Sequence, residues 1–330
     1  MRQILTLVRV AAAGSLVLVG AACGNDDDGE TATPAVTIVV TTNVLGDVVS
    51  AVLGDLASVE VIMPVGADPH DFEASVRQAA AMEDADLLVV NGANFEEGMA
   101  GVIENVESSG TPVFAFADVV ALLDSDDDHA DDDHADDDDA DDDDHGDDDH
   151  GDVDPHLWTD PARMAIGVEG LAAALTELDE IDAAALAEQA DAYVSELTAL
   201  DAEIEDMLAA IPDAQRVLIT NHDSFAYFAD RYDFDIVGTV IPSMTTAADA
   251  SIRQLEELAA LIVERDIPAV FAETTQSTEL AESLTAEVGR EVAVVQIYTG
   301  SVGEPGSGAE TYIGMMRTNA ELISSALTVE

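Results

Sequence analysis

Seven histidines are spread over the 330 residues, and three of them stand apart from the rest. His129, His134, His145 and His150 lie in a segment, 124–152, that is otherwise almost all Asp with a few Ala and Gly. His70, His156 and His222 sit instead in PVGADPHDFE, DPHLWTDP and TNHDSFAYF, beside stretches that read as strands. Three imidazoles from distant places, meeting in one cleft, would suit a borderline divalent ion. Zn(II) takes nitrogen at about 2.0–2.1 Å and has no geometric demand of its own. Pro69 and Pro155 stiffen the approach to His70 and His156. Asp68 and Asp71 are candidates to accept a ring N–H of His70, the outer partner that a metal-bound imidazole needs. Trp158 can wall the site, and Asp223 and Ser224 can cap the helix expected after His222.

The positions of these residues depend on the elements between them. Strands are expected at 36–42, 59–65, 86–92 and 111–117, with helices near 44–54, 75–84 and 96–107. The strands are continuous β-branched and apolar runs, such as VTIVVTT. Runs of this kind are buried on both faces, which implies a parallel sheet covered by helices. After the acidic segment come a helix from Pro161 to about Leu178 and a longer one from about Ala183 to Ala210, stopped by Pro212. A second series follows, with strands at 216–221, 234–240, 268–273 and 292–298 and helices near 224–231, 249–265, 276–288 and 308–327. The expected fold is α/β: two Rossmann-like lobes with parallel sheets, 36–180 and 212–330, joined by a long rigid linking helix, 181–211. His70 and His222 then fall beyond the carboxyl ends of strands, one per lobe, where open α/β sheets bind ligands.

Composition narrows the partners. Ten Arg, no Lys and 70 acidic residues give a formal charge of -60. Such a chain repels phosphate backbones, so nucleic-acid binding is excluded as a main activity, and cations are the natural small partners. One Cys excludes an internal disulfide. That residue, Cys23, ends a run of basic start, apolar stretch and small residues, the layout of a secretory signal. Residues 1–22 are expected to be a signal peptide, Cys23 a lipidation site and 23–35 a flexible tether. The protein would then stand outside the cytoplasm, touching the membrane only through its lipid. The acidic segment, nineteen Asp and four His, is expected to be an extended loop and a low-affinity metal collector.

GADPHDFE, DPHLWTDP, NHDSFAYFADRY and YTGSVGEPGSGAETYIGMMRTN, in this order, resemble the zinc/manganese ABC-transporter solute-binding family of the ZnuA/TroA type. The resemblance covers about 36–327. It implies two lobes with a metal held between them, no enzymatic activity, and delivery of the ion to a membrane permease driven by an ATPase, with a monomer expected. His70, His156 and His222 match the family's first three ligand positions. Manganese-binding members tend to carry Glu at the third, so His222 favours Zn(II), with Mn(II) as the alternative. The family often supplies a fourth ligand, Asp, where this chain has Gly300. Glu273 is the candidate replacement, with Glu304 or a water as others. Two other readings compete. A zinc hydrolase would need a general base that only Glu273 could supply, and HExxH is missing. A surface adhesin or metal buffer would act through the acidic segment.

Overall fold

The computed structural model of the protein describes residues 36–124 and 153–328. The expected signal peptide, Cys23, the tether and residues 125–152 of the acidic segment lie outside the described residues.

All eight expected strands form. The first lobe holds β1 (Thr37–Val40), β2 (Ser58–Val61), β3 (Leu87–Val90) and β4 (Val113–Ala115), in the order β2-β1-β3-β4. The second holds β5 (Val217–Thr220), β6 (Asp235–Thr239), β7 (Ala269–Glu273) and β8 (Ala293–Ile297), in the order β6-β5-β7-β8. Every pairing between these eight strands is parallel. The two sheets therefore share one doubly wound topology, with the chain reversing direction across the sheet beside β1 and beside β5. The central strands β3 and β7 are buried throughout, whereas the edge strand β2, which carries Glu60, is half open.

Nine α-helices connect and cover the sheets: α1 (Asn43–Leu53), α2 (Val76–Glu83), α3 (Ala100–Ser109), α4 (Pro161–Leu175), α5 (Ala183–Leu208), α6 (Ala226–Tyr232), α7 (Ile252–Glu264), α8 (Glu279–Glu287) and α9 (Tyr312–Leu327), counted among the described residues. Side chains alternate across a strand, and here the alternation sorts them into separate cores. Ile38, Val40, Leu87 and Val89 face a central core, as do Leu218, Ala269 and Phe271 of the other sheet. Their neighbours Val39, Leu88 and Val90 join a smaller cluster under α2 and α3. Ile219, Val270 and Ala272 join another under α7 and α8.

The central core is common to both lobes because α5 runs through it. Asp182 caps this helix by accepting from the Ala184 and Ala185 N–H groups at 3.0 and 3.1 Å. Leu186, Ala190, Tyr193, Leu197, Leu200, Ile204 and Leu208 recur at intervals of three and four, which gathers them on one face. Its 26 residues span about 39 Å at 1.5 Å per residue. α1 and α4 of the first lobe and α9 of the second all pack on it. α9 therefore returns from the end of the chain to touch α1, and both lobes belong to one compact unit. Leu197→Ala should cost about 2–5 kcal/mol, the usual range for a buried leucine. Because the core is shared, both lobes should melt together in one shifted transition. Calorimetry showing one lobe unaffected would contradict that.

Candidate metal centre

His70 comes from the loop between β2 and α2. Asp68 Oδ1 accepts the His70 backbone N–H at 3.0 Å, a local turn that fixes the imidazole's base. The ring Nδ1 lies 3.1 Å from Glu97 Oε1, and Phe95 meets the ring edge-on at 5.0 Å between centroids.

His156 stands where the chain re-enters the described residues. Asp124 and Val153 pair antiparallel, and the Asp154 N–H donates to Leu123 O at 2.9 Å, so the two flanks of the acidic segment meet. Asp154 Oδ1 then accepts both the His156 backbone N–H (2.8 Å) and its ring Nδ1 (2.7 Å). Asn91 holds the Pro155 carbonyl at 2.9 Å, and Tyr227 of α6 donates to the Asp154 carbonyl at 2.5 Å.

His222 leaves the end of β5, where Thr220 Oγ1 donates to its carbonyl at 2.8 Å. Its Nδ1 is hydrogen-bonded to Glu273 Oε1, and Glu273 Oε2 accepts from Thr299 Oγ1 at 2.8 Å.

All three rings thus turn Nδ1 to a carboxylate and leave Nε2 facing inward. The Nε2 atoms of His156 and His222 are 3.2 Å apart. Two nitrogens on one tetrahedral zinc, at about 2.0–2.1 Å each, would be separated by about 3.3–3.4 Å. His70 Nε2 is buried without a hydrogen-bond partner. The three rings, all buried, offer ligand atoms within 4.8 Å of one another, the one such group among the described residues. They line a cavity of about 10 Å³ whose other walls include Pro69, Phe95, Trp158 and Gly300. That is room for about one small occupant.

The charges follow from this packing. Burial, reinforced by charge on His156 and His222, pushes His70 down to about 2. Burial also pulls His222 down, but the charge and hydrogen bond of Glu273, with the charges of Asp68 and Asp223, outweigh it and raise His222. Burial would raise Glu273, yet the charge and hydrogen bond of His222 and the Thr299 hydroxyl hold it below the ordinary carboxylate range.

Two expectations change. Glu273 lines the cavity, but both its oxygens are engaged by His222 and Thr299, so it stands behind an imidazole instead of beside it as a fourth ligand. The reason is register: Thr220 of β5 pairs with Phe271 of β7, so the residues two further on, His222 and Glu273, lie side by side. Glu304 is exposed and outside the cavity. At Gly300 a Cβ would lie 2.7 Å from Pro69 Cδ and 3.0 Å from Cγ, so no side chain fits there unless Pro69 moves. The partner of the His70 ring is Glu97, not Asp68 or Asp71. Asp154 was not anticipated either. The signal was present in the tripeptide Asp-Pro-His, which occurs at 68–70 and again at 154–156; in both copies the Asp accepts its histidine's backbone N–H.

The family described as zinc-uptake complex component A, periplasmic (ZnuA), matches residues 38–326. The chain belongs to this family. Its members are substrate-binding components of ABC importers and act beside permease and ATPase components; the chain is not an enzyme. Manganese-binding lipoprotein MntA of Halalkalibacterium halodurans is 30% identical over 95% of this chain and 96% of its own. Zinc-binding protein TroA of Treponema pallidum is 27% identical over 96% of each chain. The solved structure of periplasmic zinc-binding TroA superposes with a TM-score of 0.76 at 26% identity, covering 90% of this chain and all of that one. Among the described residues no helix is long and apolar enough to cross a membrane.

Proposed function

We propose that this ZnuA-family protein captures a single Zn(II) on His70, His156 and His222 in the gap between its lobes and delivers it to a membrane permease powered by an ATPase. It works outside the cytoplasm, held to the membrane by a lipid on Cys23. The observation that carries the reading is the convergence of three Nε2 atoms, each ring being oriented by a carboxylate on its Nδ1. A metal-bound imidazole normally donates its other N–H in this way, which fixes the tautomer and raises ligand basicity.

The relatives are named for manganese and for zinc, so the donor set has to decide between them. Mn(II) is harder and prefers oxygen, while imidazole suits zinc. Here the three donors are nitrogen, Glu273 is engaged elsewhere, and Gly300 offers no side chain. The three nitrogens leave the fourth position of a tetrahedral zinc to a small ligand from outside the protein, such as water. The division into lobes 36–180 and 212–330 about helix 181–211, with α5 packed into both, favours a small rocking motion over a wide hinge. Metal-stripped protein equilibrated with equimolar Zn(II) and Mn(II) should carry one zinc per chain by elemental analysis. Predominant manganese would overturn the choice of ion.

A further inference from the structure

The loop that carries His70 does more than present a ring. It crosses to the second lobe and is fastened there. The Gly66 N–H donates to Ser301 Oγ at 2.8 Å. Pro69 packs on Gly300 closely enough to exclude a side chain at that position. Between them, Asp68 uses its two oxygens in different directions. Oδ1 accepts the His70 N–H at 3.0 Å. Oδ2 accepts from Thr246 Oγ1 at 2.7 Å and from Gln276 Nε2, both in the second lobe. Asp154, the equivalent residue of the other Asp-Pro-His, instead gives one oxygen to both its histidine's backbone and ring. The duplicated tripeptide therefore does two jobs: Asp154 meets the second lobe through its backbone carbonyl, and Asp68 reaches across the gap with its carboxylate.

We propose that Asp68 is a positioning residue that sets the rate of metal release. One carboxylate ties the backbone of a ligand to the facing lobe, so the lobes cannot separate there without disturbing His70, and His70 cannot withdraw while the lobes are joined. This rests on the zinc reading above and adds to it the step that controls departure. The two donors from the second lobe converge on a single anionic oxygen. Hydrogen bonds to a charged group are the strong ones, so losing them should accelerate dissociation by about tenfold or more. Changes of this kind fall mainly on the off-rate.

The test is stopped-flow release of Zn(II) into an excess of chelator. Asp68→Asn keeps an oxygen for the His70 N–H but turns an NH2 group toward Gln276, donor against donor. Gln276→Leu removes one bond of the fastening and leaves the His70 loop intact, which guards against a folding defect in the first variant. Both should hold one zinc and release it about tenfold faster than the unmodified protein, with association little changed. Adding Gln276→Glu to Asp68→Asn supplies an acceptor opposite the new donor and should restore slow release, which a general loosening of the fold would not allow. Release within twofold of the unmodified rate in both single variants, with zinc still bound, overturns the role of Asp68 and leaves the zinc reading standing. Unmodified protein that binds no zinc overturns both.

Discussion

Replacing His222 by Ala should weaken zinc binding by well over 100-fold, measured by competition with a chelator of known affinity. Loss of an outer partner of a metal ligand already costs about 10- to 100-fold, and here a ligand itself goes. The remaining pair, His70 and His156, cannot hold a tetrahedral ion with side chains alone, because Gly300 contributes none and Glu273 loses the residue that gave it its place. The same change has a second consequence. Glu273 is buried and held below the ordinary carboxylate range by His222. Removing one partner of a buried pair leaves an uncompensated charge and costs about 3–5 kcal/mol. His222→Ala should therefore also lower the melting temperature of the metal-free protein. The two effects separate in His222→Ala/Glu273→Ala, where the buried charge is gone: stability should recover and zinc affinity should not. Zinc binding within tenfold of the unmodified protein in His222→Ala would end the case for a three-imidazole site.

The strands were legible because parallel-sheet cores demand continuous apolar runs rich in β-branched residues, as in VTIVVTT. Their ends were not, because the residues just past a strand are claimed by other tasks. Thr42 belongs to the run expected to form β1, yet it leaves the sheet to cap α1, accepting the Leu45 N–H. The helix expected from residue 96 begins α-helically only at Ala100. Glu96 is instead drawn inward, accepting from Thr41 Oγ1 and the Asn91 N–H at 2.7 Å each, and closes a tight loop in which Ala93 and Asn94 take positive φ. That loop delivers Phe95 and Glu97 to His70, so the role of Glu97 could not be read without it.

The three histidines were legible for a different reason: their segments lie between elements, where a side chain is free of packing duty. Whether a neighbouring carboxylate would join them at the ion or hold one from behind depends on sheet order. Glu273 reads as a ligand until β5 and β7 are known to be adjacent. The common core was likewise hidden. The apolar face of α5 shows that it packs, but the return of α9 to α5 and α1 comes only with the tertiary structure.

Acid should release the metal, but with fewer than three protons. Three imidazoles of ordinary basicity would each have to be neutral to bind, and affinity would then fall about a thousandfold per pH unit below their common pKa. The site is not expected to behave that way, because His70 and His222 are pushed in opposite directions. His70, at about 2, is already neutral throughout the range from pH 7.5 to 5 and competes with no proton there. His222 is raised, so in the metal-free protein it holds its second proton up to a pH above the ordinary imidazole value. Its Nδ1 proton stays on the ring, donated to Glu273; the proton that zinc must displace is the one on Nε2. Each zinc bound near neutrality should therefore release at least one proton, from His222, and none from His70. Affinity should fall by about tenfold or more per pH unit on acidification, and by less than the thousandfold of three independent rings. Calorimetry in buffers of different ionisation enthalpy counts the protons directly. Three per zinc, or an affinity flat from pH 7.5 to 5, would contradict this arrangement. Glu273→Gln gives the sign an independent check. Without the anion His222 loses what raised it, so the acid-induced fall should begin at a lower pH. Affinity at pH 7.5 should nonetheless drop about 10- to 100-fold, since the ring has lost its fixed partner. The two affinity curves should accordingly draw together as the pH falls. Parallel curves would mean that Glu273 orients His222 without setting its charge.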